Sequence, residues 1–321
     1  MVKIDMLETN NTKQVQQEYI EVTLNENVLK ELDYKLTYKA KGRANQKTSL
    51  SKNGKHLTVL DIPATYTYKG KNYKITRIGI YDNSNLINYG IFRGNRSLRT
   101  VIIPNSVTEI GDMSFNGCNS LTNVTIPDSV RKIGKSAFEG CSLLKNVNIP
   151  DNVTEIGKYA FCECSSLTNI TIPDGVTKIR DGAFYCCSSL TKIAIPSGVT
   201  EIGGGAFYKC SSLTNITIPV GVTEIRDEAF YCCSSLTKIT IPNSVTKIGY
   251  YAFGYCSSLT SVTIPDSVTE IGEDAFCECP LKTLIIPDSV IKIHEYAFCN
   301  LPHIEYHGTA IGKPWYALSM N

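Results

Sequence analysis

Between Leu121 and Ile149 the apolar and polar residues follow an order that recurs down the chain. Leu121-Thr122-Asn123-Val124-Thr125-Ile126 alternates apolar with polar side chains and is rich in β-branched types, which predicts a short strand. Leu121, Val124 and Ile126 are expected to face inward, and Asn123 and Thr125 to face solvent. Pro127 ends the strand because it has no N–H to give to a ladder, and Asp128-Ser129 supplies turn chemistry. A second short strand is expected from Val130 to Ile133, followed by a sharp bend at Gly134. Ala137, Phe138 and Cys141 predict one helical turn with its apolar side inward, and Cys141 to Leu144 returns the chain to the next unit.

The unit repeats on a strict count. All ten phenylalanines, from Phe92 to Phe298, are 23 residues apart except for a last step of 22. Prolines from Pro104 to Pro265 keep the same period, and Pro287 follows a one-residue deletion beside Cys279. A period of this length predicts a solenoid, in which one supersecondary unit stacks on copies of itself. Rungs paired by strands lie roughly 4.8 Å apart, so equivalent residues form ladders. The residue before the second-strand isoleucine runs Arg77, Glu109, Lys132, Glu155, Lys178, Glu201, Glu224, Lys247, Glu270, Lys292. The signs alternate, with one fault at Glu201/Glu224, so this ladder is read as register-setting pairs.

Outside the repeat, residues 1–33 read as a polar, partly ordered leader and 34–91 as a β-rich cap. In the cap, Asn53-Gly54 signals a hairpin turn. Leu57 to Ile62 reads as a strand, and Thr65–Tyr68 and Tyr73–Ile78 flank a second hairpin turn. An insertion at about 80–91 bulges from the first rung. The solenoid is expected over 92–302, with a C-terminal cap over 303–321 sealed by Trp315.

The rung Ile-Pro-Asp-Ser-Val-Thr-Glu-Ile-Gly-x-x-Ala-Phe-x-x-Cys-Ser-Ser-Leu-Thr-x-Val-Thr resembles the BspA-like leucine-rich repeat family. Ala-Phe followed three residues later by Cys recurs in seven rungs, with Ser114-Phe115 in an eighth. The segment from Ile62 to Tyr73 is similar to that family's N-terminal cap hairpin. The resemblance implies an α/β fold class: a right-handed leucine-rich repeat solenoid, β-rich, of 23-residue rungs with a β-hairpin N-terminal cap. It also implies a cell-surface or secreted protein of host-associated bacteria or protists that adheres to host matrix or to other cells. It brings no catalytic residues and no cofactor. The chain opens without a secretory signal pattern and shows no surface anchor, so the alternative is an intracellular scaffold or effector.

Composition adds two candidate surfaces and one set of thiols. Net charge is only +2, yet residues 34–80 carry eleven basic residues against one acid. There Lys39, Lys41, Arg43, Lys69, Lys71 and Lys74 are candidates for binding a polyanion such as a sulfated glycan, and nucleic acid is not expected. The outward strand column Asn123, Asn146, Asn169, Lys192, Asn215, Lys238 is the candidate face for a protein partner. Tyr185, Tyr208 and Tyr231 form a further stripe. Of 13 cysteines, eight keep the repeat (Cys118 to Cys279), and at the tenth phenylalanine Leu301 takes the matching slot. That substitution predicts a small apolar position filled by reduced thiols. Cys162, Cys186, Cys232, Cys277 and Cys299 fall outside the repeat. Cys277 and Cys299 should be neighbours, and packing, a disulfide or zinc with His303 are all open. The spacing matches no established zinc module, so no metal is expected. No phosphate loop, nucleophile elbow or dinucleotide fingerprint is present, and no enzyme is expected.

Overall fold

The computed structural model describes residues 20–41, 44–53, 55–79, 90–282, 284–301 and 304–305. Its body is a parallel β-solenoid. Each rung contributes a first strand of two or three residues, such as Asn123–Thr125, and a second of two, such as Lys132–Ile133. Both pair with their equivalents one rung away in unshifted register: Asn169 opposite Lys192, Lys132 opposite Glu155. The alternation decides the burial. Leu121 and Ile126 are buried, Val124 is partly buried, and Asn123 and Thr125 are exposed. At each corner the proline that cannot donate accepts instead: the Pro127 carbonyl takes the Val130 N–H at 3.0 Å.

The expected helical turn is not formed. Ser136 and Gly140 take φ of 53° and 72°, which breaks any right-handed run. The N–H groups of Ser136, Phe138 and Gly140 then donate to Lys158, Ala160 and Cys162 of the next rung at 2.8–2.9 Å. The third side of the rung is thus a laddered double turn rather than a helix. The described residues hold a single helix, Glu26–Glu31, capped by Asn25, whose side chain accepts from the N–H groups of Asn27 and Val28. The fold is therefore a β-solenoid with almost no helix.

The core is a stack of identical residues. All ten phenylalanines are fully buried. Successive rings lie 5.3–6.1 Å apart and nearly parallel, each contact contributing about 0.5–1.5 kcal/mol beyond burial.

Glycine following the second strand lets rungs close. A Cβ on Gly157 would stand 2.5 Å from the Lys135 nitrogen and 2.6 Å from the Gly134 carbonyl carbon. In two rungs that slot holds arginine, Arg180 and Arg226. Those are the rungs where the second-strand ladder thins. Glu155–Ile156 and Lys178–Ile179 fall in separate sheets, and Glu201–Ile202 keeps only Ile202 paired to Ile225.

At the N-terminal end, residues assigned to a polar leader supply a strand, Ile20–Leu24, parallel to Lys71–Ile78. Thr65–Tyr68 pairs antiparallel with the same strand across a two-residue turn, Lys69-Gly70, with both φ positive. Ala44–Lys52 and Lys55–His56 form the hairpin expected around Asn53. Val59–Asp61 joins the first-strand ladder beside Thr100–Ile102. Ile304–Glu305 pairs parallel with Leu284–Ile285. Trp315, His303 and most of the expected insertion lie outside the described residues.

Candidate interaction surfaces

The strand column is assembled as expected. Asn146, Asn169 and Lys192 stand in register, as do Asn215 and Lys238, and Asn123 aligns with Thr100; all six candidates are exposed. Its polar groups partly satisfy one another: Thr168 Oγ1 donates to Asn146 Oδ1 at 3.2 Å, and the Asn169 amide donates to Thr168 Oγ1 at 3.4 Å. No aromatic or arginine lies in this column, so it lacks the residue types that dominate binding energy.

The charge ladder pairs as predicted: Arg77–Glu109 at 3.3 Å, Lys132–Glu155 at 3.6 Å, Lys178–Glu201 at 2.9 Å, Lys247–Glu224 at 3.5 Å and Lys292–Glu270 at 3.0 Å. The like-charge fault is met by Arg226, which reaches Glu201 at 3.3 Å. Hydrogen bonds from Lys178 to Glu201 and from His294 to Glu270 hold both carboxyls below the usual glutamate range. His294 is thus committed to Glu270, at 2.9 Å.

The eight repeat cysteines are free and buried. They are more than small apolar fillers. Each thiol donates to the phenylalanine carbonyl of the preceding rung, for example Cys210 to Phe184 at 3.2 Å, while that carbonyl also accepts the Cys187 N–H at 3.1 Å. Leu301 fills the slot without this bond. Burial pushes Cys118 up to about 12, so this thiol stays protonated and inert.

The richest surface is the turn wall. Tyr185 and Tyr208 stack at 4.3 Å, and Tyr208 and Tyr231 at 4.9 Å. The sequence stripe named three tyrosines, and the structure extends it. Tyr251 and Tyr255 pack edge-on against Tyr231 at 5.2 and 5.5 Å, and Tyr250 against Tyr251 at 4.5 Å. The signal that was missed lies in the glycines. A Cβ on Gly182 would meet the Tyr159 ring at 2.2 Å, and one on Gly254 would meet the Tyr251 ring at 2.5 Å. These glycines are seats for rings: Tyr159 comes from the same repeat position one rung back, and Tyr251 from a different position of the repeat. Burial pushes Tyr231 up to about 12, and Tyr185 is shifted upward by the same cause. Their hydroxyls therefore remain donors at neutral pH.

Beside the tyrosines runs a groove of about 640 Å³. One lining column is serine: Ser165, Ser188, Ser211 and Ser234, each hydroxyl donating to the serine carbonyl one rung back at 3.3–3.4 Å. The other is Glu163, Cys186, Lys209, Cys232 and Tyr255, all at φ of 53–59°. The left-handed backbone carries five side chains of four kinds along one line, where the lower rungs have only Gly94, Gly117 and Gly140.

Of the basic candidates, Lys69 and Lys71 are exposed at the hairpin tip, with Lys69 Nζ 5.1 Å from the Tyr68 ring centre, and Lys74 is half-buried. Lys39 and Lys41 lie in the strand Tyr34–Lys41, and Arg43 is outside the described residues. Cys277 and Cys299 are joined by a disulfide, with Cα atoms 4.7 Å apart. Of the readings left open for this pair, the disulfide is the one formed: the 22-residue step stacks one directly on the other. Among the described residues no helix is long and apolar enough to cross a membrane.

The family described as the BspA type leucine rich repeat region matches residues 64–191 and 177–305, in 6 copies. No curated protein matches. Among solved structures, a leucine rich cell surface protein of Faecalibacterium prausnitzii A2-165 is 28% identical over 85% of this chain and 89% of that one, with a TM-score of 0.48. A leucine-rich repeat protein of T. pallidum is 32% identical over 54% and 81%, with a TM-score of 0.47. The pneumococcal vaccine antigen PcpA, 18% identical over 92% and 84% with a TM-score of 0.57, shares the fold.

Proposed function

This chain belongs to the BspA-type leucine-rich repeat family, and from that premise we propose that it is a non-enzymatic binding module that holds a protein partner along the side of its solenoid. The tyrosine wall carries the reading. Tyrosine supplies large contact area at low conformational cost and is a preferred hot-spot residue. Here six tyrosines, Tyr185 to Tyr255, are joined by ring contacts beside a groove that Tyr255 lines. Contacts that recur from rung to rung favour avidity over one dominant pocket. The family resemblance supports a cell-surface or secreted adhesin facing host matrix or other cells. The eleven free thiols favour an intracellular scaffold instead, and fractionation of the native protein separates the two.

The test is a binding screen against matrix proteins, whole cells and glycans, at low salt and at about 0.5 M salt, where screening is severe. Salt-resistant protein binding that falls at least tenfold in Tyr208→Ala supports the proposal. Binding lost instead in Asn169→Ala or Lys192→Ala moves the site to the strand column. Binding only to sulfated glycans at low salt, lost in Lys69→Ala/Lys71→Ala, moves it to the cap.

A further inference from the structure

The sulfurs of Cys277 and Cys299 and a carboxylate oxygen of Asp274 lie within 4.8 Å of one another. We propose that these three residues form a redox-gated site for a thiophilic divalent cation of the zinc class, closed while the cysteines are bridged and open once they are reduced. A tetrahedral ion with sulfur ligands at about 2.3 Å and a carboxylate oxygen at about 2.0–2.2 Å needs its ligand atoms about 3.5–3.8 Å apart. Three side chains already this close reach that spacing by small rotations.

Two further observations point to a cation. Tyr251 holds the same repeat position one rung back from Asp274, which puts its hydroxyl within electrostatic reach of that carboxylate, the place of an outer partner for a ligating carboxylate. In addition, Glu273, Glu278 and Glu295 belong to the same two turn segments as the cysteines, and those segments, 273–279 and 295–301, contain no lysine or arginine. The repeat explains why the site occurs once. The position after phenylalanine holds Cys162 alone lower down and tyrosine in the middle rungs. At this position only 277 and 299 place cysteine above cysteine.

The gate balances chemically. A dithiol reductant supplies two electrons and two protons, the S–S bond breaks to two thiols, and the reductant closes its own disulfide. Binding the cation then releases both thiol protons to solvent. Three protein ligands leave the fourth position to water.

The probe is Co²⁺, read by its sulfur-to-cobalt charge-transfer absorption, added to the full chain either as purified or after dithiol reduction and removal of the reductant. Cys186 and Cys232 are free in both forms, so the difference between the two reports only this pair. One equivalent bound by the reduced form alone, displaced by Zn²⁺, is expected. Asp274→Asn should weaken binding tenfold or more while leaving the two-thiolate band. Equal cobalt binding by both forms, a band that survives Cys299→Ser, or unchanged affinity in Asp274→Asn would each overturn the site.

Discussion

Replacing glycine by alanine at two positions of this solenoid should shift stability in opposite directions. At Gly198 a Cβ would find nothing nearer than the Asp174 carbonyl oxygen at 3.9 Å. Gly198→Ala should therefore stabilise by about 0.4–1 kcal/mol, because the unfolded chain loses conformational freedom. At Gly157 the same atom would meet backbone of the preceding rung at 2.5–2.8 Å. The rung must move away, and Arg180 shows the consequence, since the ladder below it is interrupted. Gly157→Ala should weaken the 2.8 Å bond from Gly157 N–H to Ile133 and the pairing of Glu155 with Lys132. Each hydrogen bond contributes about 0.5–1.5 kcal/mol net. Two such bonds are worth about 1–3 kcal/mol, so after the unfolded-state gain of about 0.4–1 kcal/mol a net loss of up to about 2.5 kcal/mol is expected. Urea denaturation gives the sign, and native-state hydrogen exchange gives the place, because solenoid rungs open locally. A Gly157→Ala protein as stable as the parent, with unchanged exchange at Glu155 to Gly157, would refute the account of rung closure.

Four further outcomes follow from the ladders. Phe207→Ala removes a fully buried ring stacked at 5.6 and 5.5 Å on its neighbours and should cost about 3–5 kcal/mol in denaturant melts. Gly198→Ser should exceed Gly198→Ala in melting temperature, since Ser129, Ser244 and Ser267 at this repeat position donate to a valine carbonyl one rung back at 2.6–2.7 Å. Alkylation of the native protein should label Cys186 and Cys232 and spare the eight repeat thiols until unfolding; early labelling of Cys210, read by mass spectrometry, would contradict their burial. Glu201 and Glu270 have folded pKa values below their unfolded ones, so their contribution is present above the ordinary glutamate range and is lost as pH falls through the lowered values. Acid melts of Glu270→Gln should therefore depend less on pH than those of the parent.

The sequence alone determined the architecture. A residue that recurs every 23 positions must occupy the same place in every rung. The phenylalanine stack, the proline corners, the inward and outward faces of the strands and the alternating charge ladder follow from that count, because their neighbours are fixed by the period. Tertiary structure decided what happens where the repeat is broken. The helical turn failed because Ser136 and Gly140 sit in left-handed backbone and their N–H groups bond the next rung, and no local propensity shows that. The cysteine slot looked apolar because Leu301 shares it, yet the thiols satisfy carbonyls 26 residues back in the chain. Tyr159 and Tyr251 lie at a different repeat position from Tyr185. Gly182, one rung on from Tyr159, and Gly254, at the repeat position of Tyr185, leave the room their rings occupy. Asp274 meets Cys277 and Cys299 for the same reason: the meeting occurs between columns, where side-chain direction rather than spacing determines contact.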